Sequence, residues 1–140
     1  MDFEEYRKLY FTDPPPEPRY RAAGIHGATL YYQDYQAALR FFREVFGPPA
    51  YVEGEHTHGW KVGNSWLTVF PSRQGNPQNL EVPIYLQTAE EVDRLYAAFI
   101  AAGAQGSEPQ ETLMYRPVRM AIVTCPFGVV FDLVYEFEGS

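Results

Sequence analysis

A single cysteine, Cys125, stands in this 140-residue chain. With no second thiol an internal disulfide is impossible, and with neither a CxxC pair nor a Cys/His spacing a zinc module is excluded. Cations are the minority charge: 11 Lys and Arg face 18 Asp and Glu, a formal net charge of −7, and such a field repels nucleic acid and anionic membrane surfaces. No apolar run approaches the roughly 20 residues that span a bilayer. Met1 to Tyr10 carries acids where a secretory signal needs cations and an apolar stretch, so a soluble, cytoplasmic protein is expected. There is no GxSxG elbow, Walker A loop or GxGxxG fingerprint. Cys125 lies before a proline turn with no base beside it, which makes it a structural thiol. Aromatic residues, by contrast, are plentiful, with 11 Tyr and 10 Phe. The 46% hydrophobic content is that of a folded domain and excludes wholesale disorder.

Residues 1–22 form an N-terminal extension. Phe3, Tyr6, Leu9 and Tyr10 have a short helical period, and the prolines at 14, 15, 16 and 18 then favour an extended linker. One domain over residues 23–140 follows, and within it a pattern occurs twice. In the first unit, 24–71, a strand Ile25–Tyr32 leads to a helix Tyr35–Phe46 that Gly47 stops. Extended runs follow at Tyr51–Glu55, His58–Val62 and Trp66–Phe70. A Gly/Pro/Asn-rich linker, 72–79, separates it from the second unit, 79–138. There Leu80, Val82, Ile84 and Leu86 alternate with polar or mixed positions as in a strand with one aliphatic face. Thr88 and Glu91 make a capping box before a helix whose Val92, Leu95, Tyr96, Phe99 and Ile100 share one side. Strands at Glu111–Arg116, Val118–Thr124 and Val129–Glu136 complete it, the last two joined by Cys125-Pro126-Phe127-Gly128.

Two strand-helix-three-strand units, the strings Ala28–Asp34 and Ala38–Gly47, and the ending Pro126-Phe127-Gly128-Val129-Val130-Phe131-Asp132-Leu133 resemble the vicinal oxygen chelate superfamily. That superfamily comprises glyoxalase I, extradiol dioxygenases and bleomycin-resistance proteins. The resemblance implies an α+β fold in which two βαβββ repeats form curved mixed sheets around a cavity, with the helices outside, and it implies a homodimer. Fold alone does not decide the reaction.

In metal-binding relatives four cavity positions supply ligands. Carried over, they fall on Gly27, on Leu67 with Thr68 one register away, on Glu81 and on Asp132. Only the two acids are ligating side chains of the family's kind, so the resemblance implies either no cofactor or a weakly bound divalent ion on Glu81 and Asp132. His26 adjoins the empty first place but points to the opposite face, while His56 and His58 share a face.

Glu81 and Asp132 are equally the candidate catalytic acid and base, because mutual repulsion between facing carboxylates raises one pKa towards neutrality. The alternative is an internal ion pair of Asp132 with Arg116 or Arg119. Tyr31, Tyr85 and Tyr115 on strands, with Trp60, Trp66, His58 and Arg119, are candidate ligand-binding residues for a flat or apolar small molecule; otherwise the rings fill the core or a subunit interface. Two functions stay open: an enzyme of the lyase or dioxygenase kind, though not a typical glyoxalase I, and a metal-free module that sequesters an aromatic or cationic compound.

Overall fold

The computed structural model describes residues 1–137. Its elements are α1 (Phe3–Tyr10), β1 (Gly27–Tyr32), α2 (Tyr35–Phe46), β2 (Tyr51–Val52), β3 (His58–Val62), β4 (Ser65–Pro71), β5 (Leu80–Tyr85), α3 (Ala89–Ala101), β6 (Gln105–Gly106), β7 (Gln110–Leu113), β8 (Pro117–Thr124) and β9 (Val129–Glu136). The first unit is a sheet of order β1-β4-β3-β2, and the second a sheet of order β5-β9-β8-β6 with β7 also paired to β8. In each unit the opening strand runs parallel to the closing one, β1 to β4 and β5 to β9, while the other pairs are antiparallel. The repeat expected from the sequence is thus a repeat of topology, two mixed βαβββ sheets each carrying one helix.

Local chemistry sets the element ends. Asp2 and Glu5 form a reciprocal capping box on α1, and the Thr88 hydroxyl accepts from the Glu91 N–H at 3.1 Å to start α3. Asp34 precedes α2 without capping it through its side chain; instead the Asn76 side chain both donates to the Asp34 carboxylate (2.8 Å) and accepts from its N–H (3.0 Å). The linker 72–79 is therefore tied to the start of α2. It is also tied to the last hairpin: Phe127 and Gly128 both have positive φ, and a Cβ on Gly128 would lie 2.2 Å from the Pro77 carbonyl oxygen.

Three strands are shorter than the sequence pattern suggests. β1 begins at Gly27 and leaves Ile25 exposed, β2 keeps only two residues, and β7 stops at Leu113 because the chain turns at Met114–Arg116, where the Met114 N–H donates to the Arg116 carbonyl. Position 138, the expected end of the second unit, lies outside the described residues.

The core lies between the two units. Leu30, Tyr32, Leu67, Val69 and Trp60 of the first sheet face α2, and Ile84, Val123, Phe131 and Leu133 of the second face α3. The helices then meet each other. Phe42 and Phe46 of α2 reach Phe131, with ring centroids 6.1 and 6.5 Å away, and Phe99 of α3 lies 5.2 Å from Phe131 and 5.7 Å from Phe46. Each unit thus covers one face of its sheet with a helix, and the helix-covered sides bind the units together. The other face of each sheet is left bare, and it exposes Tyr31, Tyr85 and Ile122.

Candidate functional site

Strand alternation decides what the bare faces carry. On the first sheet these are Thr29 and Tyr31 of β1 and, in register with them, Thr68 and Phe70 of β4, with Trp66 opposite Gly27. Tyr31 and Phe70 stack with centroids 5.4 Å apart, and the Lys61 ammonium sits 4.6 Å from the Trp66 ring. On the second sheet they are Glu81, Pro83 and Tyr85 of β5, Val130, Asp132 and Val134 of β9, and Met120 and Ile122 of β8.

The two acids singled out from the sequence come together here. Glu81 pairs with Val130 and Pro83 with Asp132, so the acids are diagonal neighbours on adjacent strands and share one face of the sheet. Glu81 is exposed whereas Asp132 is only 6% exposed, and Asp132 Oδ1 is buried with no hydrogen-bond partner. Burial, then the hydrogen bond to Glu81 and its charge, push the Asp132 carboxyl up to about 6.

Neither arginine serves Asp132. Arg119 is on the helix side of β8 and pairs with Asp93 of α3 at 2.9 Å, and Arg116 lies 3.9 Å from Glu136. The pairing of Arg119 with Asp132 is therefore corrected: strand parity puts Arg119 on the face opposite the two acids.

Three further candidates are also displaced. His58 and Trp60 lie on the helix-facing side of β3, in register with Val69 and Leu67. Trp60 is core, and its indole N–H donates to the Gly47 carbonyl at 2.8 Å. His58 is buried with Nδ1 2.7 Å from the Tyr35 hydroxyl, and burial with the nearby Arg43 charge lowers its pKa. Tyr115 sits in the β7–β8 turn, exposed, with its ring edge-on to Phe11 at 6.5 Å. There it helps line a groove of about 350 Å³ with Tyr6, Tyr10, Phe11 and Met114. Tyr31, Tyr85 and Trp66 do reach the bare faces. Tyr85 also borders a cleft of about 370 Å³ between the units, which includes neither acid. Phe70 escaped the sequence reading, although parallel pairing of the first and last strands of the unit puts it beside Tyr31.

The family's four metal positions can now be tested against the donor set. A Cβ built on Gly27 would lie 1.8 Å from the Trp66 carbonyl oxygen, so backbone occupies the place of a first ligand. Leu67 is buried towards α2, and Thr68, on the bare face, offers a hydroxyl. Among the described residues no three His, Cys, Asp or Glu side chains are grouped to hold a metal ion. Two carboxyl groups alone do not fit a divalent ion that demands three or more protein ligands.

The bare-faced sheet pairs and the acid couple define a βαβββ protein of the glyoxalase-like α+β class, and comparison with known proteins agrees. The family model for the Glyoxalase/Bleomycin resistance protein/Dioxygenase superfamily matches residues 24–133, and the chain belongs to that superfamily. Among solved structures, a glyoxalase/bleomycin resistance protein/dioxygenase family enzyme from Burkholderia phytofirmans PsJN is 22% identical with a TM-score of 0.65, covering 82% of this chain and 100% of its own. Lactoylglutathione lyase from Agrobacterium tumefaciens is 19% identical with a TM-score of 0.62, covering 83% and 96%. A mutant fosfomycin resistance protein from Listeria monocytogenes, complexed with Mn(II) and a dihydroxypropylphosphonic acid, is 18% identical with a TM-score of 0.61, covering 84% and 93%. At these identities the likeness concerns the fold. No curated protein matches the chain. Among the described residues no helix is long and apolar enough to cross a membrane.

Proposed function

We propose that this protein binds a small organic molecule in a cavity shared by two copies of the chain, and that it does so without a metal ion. In the shared cavity the bare face of unit one in one copy, with Tyr31, Trp66 and Phe70, closes over the bare face of unit two in the other, with Glu81 and Asp132. The observation that carries this reading is the arrangement of the faces: the helix-covered sides are used up in joining the units, and aromatic and aliphatic side chains remain exposed on both bare sides (Tyr31 55%, Tyr85 68%, Ile122 49%). A two-fold pairing buries both bare faces at once and produces two equivalent cavities.

Sedimentation of the full chain tests the assembly: a dimer is expected, and a monomer at every concentration overturns the reading. A mixing experiment tests the sharing. A Glu81→Gln/Asp132→Asn variant and a Tyr31→Ala/Phe70→Ala variant each lack binding of a compound found by thermal-shift screening. Their mixed dimer contains one intact cavity and one doubly altered one, and random exchange makes half of the dimers mixed, so mixing restores about a quarter of the wild-type capacity. Cavities confined to single chains would show no recovery.

A second reading, proton transfer to or from the bound molecule, is favoured by the Asp132 carboxyl standing at about 6, where a group exchanges protons near neutrality. Turnover of a screened compound that stays absent in Glu81→Gln at concentrations saturating the variant would establish it.

A further inference from the structure

We infer that the positive group accepted by the Glu81–Asp132 pair is an organic ammonium ion and not a metal ion. The inference rests on the reading of the second unit's bare face as a ligand face, and it specifies the chemistry of that ligand. The first support is the lack of a protein counter-charge. The ion pairs among the described residues join Arg94 to Glu91, Arg116 to Glu136 and Arg119 to Asp93, and none involves Glu81 or Asp132. The second is Asp132 Oδ1, an acceptor on a side chain 94% buried by the 6% exposure above, on the bare side of the sheet and without a donor. A buried acceptor left unpaired is destabilising, and a ligand N–H donor relieves it.

The third support is directional. An ammonium group presents up to three N–H donors, matching oxygens spread over two adjacent carboxyl groups, and charge-assisted bonds of this kind are among the stronger ones. A divalent ion held tightly needs further ligands in a closed shell, and among the described residues no third His, Cys, Asp or Glu side chain joins the two acids. Around the acids, Val130, Val134, Met120 and Ile122 share the face and offer apolar contact to the hydrocarbon part of an amine.

The test is calorimetric titration of the full chain at mildly alkaline pH with benzylamine, with benzyl alcohol as its uncharged counterpart, and separately with MnCl₂ and ZnCl₂. Benzylamine is expected to bind at least about tenfold tighter than benzyl alcohol and to lose at least about tenfold in affinity in Glu81→Gln and in Asp132→Asn. Neither metal should displace it. Because Glu81 is exposed, Glu81→Gln carries the test even if the buried substitution disturbs folding. Equal affinity for amine and alcohol, no binding of benzylamine, or stoichiometric Mn²⁺ or Zn²⁺ binding that displaces the amine would each overturn the inference. Its fate is separable from that of the shared cavity. A monomer that binds benzylamine through the acids defeats the shared cavity alone, whereas a dimer with recovered capacity on mixing that ignores the amine's charge defeats the ammonium assignment alone.

Discussion

Unit one presents Thr29, Tyr31, Trp66, Thr68 and Phe70 on the face its helix leaves bare, whereas unit two presents Glu81, Asp132, Tyr85 and Ile122 on the equivalent face. The helix-covered faces do not differ in this way. Leu30, Leu67 and Val69 in one unit and Ile84, Phe131 and Leu133 in the other are alike aliphatic or aromatic and buried. The repeat is therefore maintained by what folding requires, an apolar side for α2 and an apolar side for α3. The uncovered sides are free of that requirement, and one has become an aromatic platform while the other holds an acid pair in an apolar frame. Substitutions on the two kinds of face should accordingly act on different quantities.

The largest expected effect is on the covered side. Phe131 is fully buried and its ring meets Phe42, Phe46 and Phe99, so it lies at the joint between the units. Phe131→Ala should destabilise the chain by about 3–5 kcal/mol in urea unfolding. Tyr31→Ala, on a ring 55% exposed in the single chain, should cost under about 1 kcal/mol when unfolding is followed on monomer. Equal losses would show that the bare face contributes to the core and would erase the contrast between the faces.

Next in size is the pH response of the acid pair. The Asp132 carboxyl is raised from 3.8 to about 6 by burial and by Glu81, which means that the folded state favours its protonated form. Between those two values the folded chain holds more protons than the unfolded one, so this group's contribution to stability falls as pH rises through that window and is level above it. Asp132→Asn removes the dependence. Its stability relative to the wild type should therefore improve from acid to neutral pH, by at most about 3 kcal/mol, as read from urea midpoints at a series of pH values. Parallel profiles for the two proteins would show that Asp132 does not carry the burial and hydrogen bond assigned to it. Tyr31 lies on the other sheet from Asp132, so Tyr31→Phe should leave the profile unchanged.

How far these features can be read from residues alone follows from the same contrast. The helices Tyr35–Phe46 and the run after Thr88 announce themselves because an apolar stripe must match a 3.6-residue period, and the repeat of that stripe between strands discloses the fold. Glu81 and Asp132 each interrupt an aliphatic strand, but it is the resemblance to the superfamily, which carries both onto ligand positions, that makes them a pair. Parity was harder to assign. His58 and Trp60 belong to the covered face because β3 registers His58 with Val69 and Trp60 with Leu67, and a run such as His58–Val62 has no alternation that says which side is in. The partner of Arg119 is hidden for a related reason, since its long side chain reaches Asp93 of α3 from the helix side of β8 and not Asp132. Tyr115 depended on where β7 ends, and strand ends are set by turn hydrogen bonds that composition does not reveal.

The smallest effect concerns the first strand of each unit, where the repeat positions are Gly27 and Glu81. Glu81 is exposed on β5, and shortening it to Ala should leave folding almost unchanged while removing an acid from the bare face. At Gly27 the same final side chain should have the opposite outcome. β1 approaches β4 closely enough that the Trp66 N–H donates to the His26 carbonyl at 2.9 Å and the Trp66 carbonyl oxygen stands 1.8 Å from a would-be Cβ. Since the obstacle is backbone and not a flexible side-chain end, Gly27→Ala must part the two strands at this point, for a loss of about 1–3 kcal/mol. The parting should also be visible as faster hydrogen exchange at the Trp66 amide, with exchange across β5 and β9 unaltered. If Gly27→Ala were as stable as the wild type with the Trp66 amide still protected, the first strand would have room for a side chain, and the missing ligand at this place would be a matter of sequence and not of space.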